Sequence, residues 1–132
     1  MSIATKSLPE GWHSITPRIV VHDPPTLVEF LKQAFDATGD FRTDSPSVIR
    51  IGDSLVMTSS VGPRDAMPAF LYLYVDDIDA TYRRALEAGA VSLEGPQDLP
   101  YGDRRGMVED PCGNIWQIAT HQRYIAPSQE VE

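Results

Sequence analysis

A chain of 132 residues with 42% hydrophobic and 23% charged side chains is long enough to bury one core and ordinary for a soluble globular protein. Its formal net charge of −8 argues against nucleic acid or an anionic membrane as partner, since both need a cationic face, and its single cysteine, Cys112, excludes an internal disulfide. No apolar run approaches the roughly 20 residues that span a bilayer, and the opening Met-Ser-Ile-Ala-Thr-Lys-Ser lacks the apolar stretch of a signal peptide, so a cytoplasmic protein is expected.

Residues 1–11 carry no periodicity and read as a loose arm. Thr16 to Val21 is strand-like, rich in β-branched residues and stopped by His22-Asp23-Pro24-Pro25. The two prolines suit a helix start, where a missing N–H costs nothing. Leu27, Phe30, Leu31 and Ala34 then recur at helical spacing, with Gly39 as the end signal. Phe41 to Thr43, Val48 to Ile51 and Leu55 to Thr58 read as short strands, the last two joined by a tight turn at Gly52-Asp53.

The pattern then restarts. Ala69 to Val75 is a strand ended by Asp76-Asp77, and Ile78, Tyr82, Ala85 and Ala88 define a helix up to Gly89. Val91 to Leu93, Gly106 to Glu109 and Ile115 to Ala119 complete the set, with Asp110-Pro111-Cys112-Gly113-Asn114 as the turn between the last two strands. Val21-His22-Asp23 lies over Val75-Asp76-Asp77, and each half runs strand, carboxylate turn, helix, three short strands. One such unit cannot bury its own helix and sheet well, so pairing two is the natural solution. The expected layout is a single α+β domain over 1–132, with one βαβββ module at about 12–62, a second at about 68–121, and a polar tail over 122–132.

These residues resemble the vicinal oxygen chelate superfamily, which includes glyoxalases, bleomycin-resistance proteins and extradiol dioxygenases. Leu73-Tyr74-Val75-Asp76-Asp77-Ile78-Asp79-Ala80 resembles the second-module strand-to-helix turn, and Ala85-Leu86-Glu87-Ala88-Gly89-Ala90 the helix end beyond it. Tyr101-Gly102-Asp103-Arg104, Asp110-Pro111-Cys112-Gly113-Asn114-Ile115-Trp116 and Ile118-Ala119-Thr120-His121 resemble the closing strands of the branch related to the phosphonate-utilisation protein PhnB, as does Ile51-Gly52-Asp53-Ser54 in the first half. The likeness covers about Trp12 to His121. It implies two modules forming an open, incomplete barrel with a ligand on the concave face, and a homodimer.

Family enzymes hold a divalent metal with His, Glu or Gln from both modules, leaving positions open for two substrate oxygens. Carried onto this chain, the metal positions fall on Thr16, Phe70 and Gln117, and only Gln117 offers a ligand. Met57, Thr58 and Ser59 provide no carboxylate at the end of the first-module hairpin. His13 falls on the opposite strand face from Thr16, His22 lies in a turn, and His121 sits four residues beyond Gln117, about 13 Å along a strand at ~3.3 Å per residue. The expectation is a metal-free site with no cofactor and no catalytic residue.

Strand alternation turns Thr16, Arg18 and Val20 toward the cavity, with Phe70, Tyr72, Tyr74, Gln117 and Ala119 from the second module, and leaves Met57 and Tyr101 at the rim. Leu71, Leu73, Val75, Trp116 and Ile118 face the helices. The ligand-binding set is therefore Thr16, Arg18, Met57, Phe70, Tyr72, Tyr74, Tyr101 and Gln117, suited to a small, partly aromatic or apolar organic molecule. Arg18, Arg50, Arg104 and Arg105 can serve an anionic group or act as surface ion-pair partners, and Asp103 and Arg104 can pair within their loop. Ser54, Ser59 and Ser60 have no His and Asp in a nucleophile arrangement, no inward carboxylate or histidine stands ready as a general base, and Cys112 reads as an incidental exposed thiol. Three readings remain: a binding module, a glyoxalase-type lyase, isomerase or dioxygenase with a non-standard metal site, and a dimerisation scaffold with a filled concave face.

Overall fold

A computed structural model of the protein describes residues 7–122. The first six residues of the expected arm and all of the expected polar tail except Gln122 lie outside the described residues. In chain order the elements are β1 (Arg18–Val21), α1 (Pro24–Phe35), β2 (Ser47–Ile51), β3 (Ser54–Ser60), β4 (Phe70–Tyr74), α2 (Ile78–Glu87), β5 (Val91–Asp98), β6 (Asp103–Glu109) and β7 (Ile115–His121).

Both helices begin on an aspartate, as the carboxylate turns require. Asp23 caps α1, its Oδ1 accepting the Thr26 N–H at 3.3 Å and its Oδ2 the Thr26 hydroxyl at 2.7 Å, with Pro24 and Pro25 in the first turn. Asp77 caps α2 by accepting the Ala80 N–H at 3.1 Å. The end of α1 differs from expectation: Asp36 takes the left-handed conformation at φ 57 and closes the helix three residues before Gly39. Gly39 does another job. At φ 124 it lies so close to β2 that a Cβ there would stand 2.6 Å from the Val48 carbonyl oxygen.

The strands form two sheets, ordered β1-β3-β2 and β4-β7-β6-β5. In each, the first strand runs parallel to the last and the remaining neighbours are antiparallel. The first sheet has three strands because Phe41–Thr43 forms none. A single bridge between Thr38 and Arg50 takes its place, and Arg42 donates its N–H to the Ser47 hydroxyl instead of to a neighbouring strand. β1 starts at Arg18, so Thr16 precedes the strand.

The helices lie between the sheets' inner faces. α1 packs on α2, and no strand of one sheet lies against a strand of the other. One core results, joining Ile19, Val21, Leu27, Leu31 and Ile49 of the first half to Ile78, Val108, Trp116 and Ile118 of the second. Phe35 closes the seam, edge-on to Phe30 at 5.5 Å and to Trp116 at 4.9 Å between ring centroids. The sheets stay open and do not close into a barrel. The α+β class and the openness of the sheets are as expected. Val20, expected on the open face, is buried, and the segment leading to β4 pairs with its backbone at Met67.

Candidate functional site

The register of the larger sheet sorts its side chains. Phe70 lies beside Ile115 and Glu109, Tyr72 beside Gln117, Met107 and Glu94, and Tyr74 beside Ala119, Arg105 and Gln97. Paired residues share a face, so these rows make one surface, while Leu71, Leu73, Trp116, Ile118 and Val108 turn to the core. The aromatic row stays uncovered: Phe70 is 65% exposed, Tyr72 38% and Tyr74 59%. The rings of Tyr72 and Tyr74 sit 5.3 Å apart at a 54° tilt.

Behind this row is a buried carboxylate that sequence reading missed. Asp103 is 2% exposed, and its Oδ2 accepts both the Tyr72 hydroxyl at 2.6 Å and the Tyr74 hydroxyl at 2.9 Å. Its Oδ1 meets His121 Nδ1 at 2.8 Å. Burial alone would raise the Asp103 pKa, but the hydrogen bonds from Tyr72, His121 and Tyr74 outweigh it and hold the carboxyl below its ordinary range. The phenols respond in the opposite sense. Burial, and then the Asp103 carboxylate, pushes Tyr72 far up, and the bond to Asp103 raises Tyr74.

Asp103 does not pair with Arg104. Adjacent strand residues face opposite ways, so Arg104 reaches the helix side, binding Asp79 through Nε at 3.0 Å and Asp98 through Nη1 at 3.3 Å. Nor does the open face lack a carboxylate and a histidine, as the sequence led us to expect. Counting equal steps outward from the Asp110–Asn114 turn along both arms of the hairpin brings Asp103 opposite His121. That count was available in the sequence, and the adjacency of Asp103 to Arg104 obscured it.

The remaining expected site residues divide between the two sheets. Gln117 joins the aromatic face directly. Tyr101, at the β5–β6 turn and 49% exposed, accepts a hydrogen bond from Arg105 Nη1 at 3.3 Å, and Arg105 Nη2 also stands 3.6 Å from Glu94 Oε1. Arg18 and Met57 are register partners on the smaller sheet, where Arg18 Nε donates to Ser59 Oγ at 3.2 Å. Thr16 stands before that sheet begins. Between the halves, a cleft of about 770 Å³ runs from Phe35, Asp36 and the Ile51–Ser54 turn to Tyr72–Asp77 and the start of α2. A second hollow of about 310 Å³ takes in Arg18, Phe41 and Ser59.

The Asp-Pro-x-Gly-Asn turn is structural. Buried Asp110 accepts the N–H groups of Cys112 and Asn114 on Oδ1 and the Asn114 amide and Trp116 indole on Oδ2, and Asn114 Oδ1 accepts the Ala69 N–H at 2.9 Å. Cys112 within it is half-buried, not exposed, and burial followed by the nearby Asp110 and Asp23 charges pushes its thiol up to about 11.

Among the described residues, the expected metal positions do not make a ligand set. The positions that carry ligands in the resembled superfamily hold a hydroxyl short of β1, an exposed phenyl ring and a neutral amide. Among the described residues no three His, Cys, Asp or Glu side chains gather to hold an ion, and the Asp103 oxygens are occupied by hydrogen-bond donors.

A sequence profile of the Glyoxalase/Bleomycin resistance protein/Dioxygenase superfamily matches residues 12–118. The chain belongs to that superfamily. An uncharacterized protein of Mycobacterium bovis is 30% identical over 130 residues, covering 85% of this chain and 86% of its own. Among solved structures, TioX from Micromonospora sp. ML1 superposes with a TM-score of 0.73 at 22% identity, covering 83% of this chain and 98% of its own. A glyoxalase/bleomycin resistance protein/dioxygenase family enzyme from Burkholderia phytofirmans PsJN superposes with a TM-score of 0.67 at 18% identity, over 79% and 94%. At those identities the two structures share the fold with this superfamily member.

Proposed function

We propose that the protein is a metal-free member of the superfamily, close to its PhnB-related branch and acting in the cytoplasm, that binds a small, partly aromatic or apolar organic ligand on the open face of the larger sheet. The observation that carries this reading is the exposed row Phe70, Tyr72 and Tyr74, with Gln117 beside it. Three rings left in water on one sheet face form a binding surface, with hydroxyl and amide groups to orient what lies on them. A homodimer fits the same geometry: since the two sheets do not touch, each open face lacks the opposing wall that an enclosing cavity needs, and a second copy can supply it.

The test is a thermal-shift panel of aromatic metabolites and antibiotics, beside titration with Mn²⁺, Ni²⁺, Zn²⁺ and Fe²⁺. A ligand at 100 times its Kd adds about 2.7 kcal/mol. Stabilisation by an aromatic compound that is lost in Tyr72→Ala supports the binding module, whereas tight stoichiometric metal uptake overturns the metal-free reading. No response to any compound favours a scaffold.

One observation favours a second, catalytic reading. His121 has its Nδ1 fixed on a buried carboxylate, and its other ring nitrogen has no partner among the described residues, the arrangement that orients a histidine for proton transfer. Turnover that is abolished in His121→Gln, with binding retained, would establish it.

A further inference from the structure

We propose that the ligand of this face carries a positive charge, an alkylated or aromatic ammonium held against the rings of Phe70, Tyr72 and Tyr74 with the Asp103 carboxylate behind them. The inference deepens the proposed binding function and rests on it. Three features support it. The rings are exposed side by side, and the tilted Tyr72–Tyr74 pair forms a shallow two-walled corner, the shape in which aromatic faces attract a cation through their quadrupole. Both phenols donate to the same carboxylate oxygen. Such a bond pushes electron density toward the ring and strengthens that attraction, since linked hydrogen bonds polarise one another.

The charge on the face points the same way. Among the described residues, buried Asp103 has no Lys or Arg against it, only two phenols and an imidazole. Glu109 and Glu94 share its sheet face, and among the described residues the one guanidinium there, Arg105, is held between Glu94 and Tyr101. The net charge of −8 adds long-range attraction for a cation. Recognition of an anion by Arg105 is the competing chemistry, because its buried Nε has no hydrogen-bond partner among the described residues. The rings and the three carboxylates favour the cation.

The experiment titrates full-length protein with benzyltrimethylammonium, its uncharged isostere neopentylbenzene, and phenylacetate. Affinity is followed by calorimetry, and the site by NMR shifts of aromatic-labelled protein. The expected result is binding of the ammonium about tenfold tighter than the isostere, with shifts at Phe70, Tyr72 and Tyr74, and a loss in Asp103→Asn that is larger for the ammonium than for the isostere. Should Asp103→Asn fail to fold, Tyr74→Leu, which alters a mostly exposed ring, carries the test and should weaken the ammonium more than the isostere. Equal affinity for ammonium and isostere, or preference for phenylacetate, overturns the charge assignment and leaves the binding face standing. Absence of shifts on this face with all three probes overturns both.

Discussion

At the scale of single residues, Asp103 decides how the open face behaves. A carboxylate this buried stays ionised only because three side-chain donors converge on it. Its folded pKa lies below the unfolded value, so its contribution to stability is fully present above the unfolded pKa of about 3.9 and is lost as pH falls through the folded value. Urea unfolding of wild type and Asp103→Asn at pH 7 and pH 3 should therefore give midpoints that differ more at pH 7 than at pH 3. The outward set Phe70, Tyr72, Tyr74 and Gln117 was legible from period-2 alternation, the strongest signal a strand carries. The carboxylate itself was misassigned because a sequence neighbour is the obvious partner, although neighbours in a strand point apart. Cys112 gives a simpler check. With its thiol pushed up to about 11, little thiolate exists at pH 8, so its reaction with iodoacetamide should run more than tenfold slower than that of free cysteine.

At the scale of elements, the turn chemistry was legible and one strand was not. Asp23 and Asp77 were found as the stops between strand and helix, and each proves to be a helix cap. The strand expected at Phe41–Thr43 fails because the next residues, Asp44-Ser45-Pro46, offer no ladder: proline lacks the N–H, and the Ser47 hydroxyl accepts the Arg42 N–H. Gly39 was read as a helix end, whereas its value is the missing Cβ against β2. The Asp-Pro-x-Gly-Asn turn was recognised as a turn, but the reach of its side chains to the Trp116 indole and the Ala69 N–H is tertiary and leaves no local trace. Asp110→Ala would orphan the Trp116 indole and the Asn114 amide in a buried site, and should cost about 2–4 kcal/mol in chemical denaturation. Asp110→Asn, which keeps one acceptor, should cost less.

At the scale of the whole molecule, the twofold repetition of strand, aspartate turn and helix was visible in the text, and it produced the two sheets. What repetition alone could not give is how the halves meet. They meet through α1 on α2 and through Phe35 against Trp116, so the halves share one core and leave both outer sheet faces open. That arrangement argues for association of two copies. Analytical ultracentrifugation across a hundredfold range of concentration should show a species of twice the 14.6 kDa chain mass; a 14.6 kDa species throughout would mean that the proposed ligand face stays uncovered.

The pairing of β4 with β7 has a consequence for how the protein is made. The backbone of Ala69 is tied to the side chain of Asn114, and β4 has no ladder partner among the described residues other than β7. During synthesis the aromatic strand therefore emerges well before anything can zip against it. Ribosome-bound chains whose exposed part ends ahead of the Asp110 turn should leave that strand open to protease, and exposure of β7 should protect it in one step.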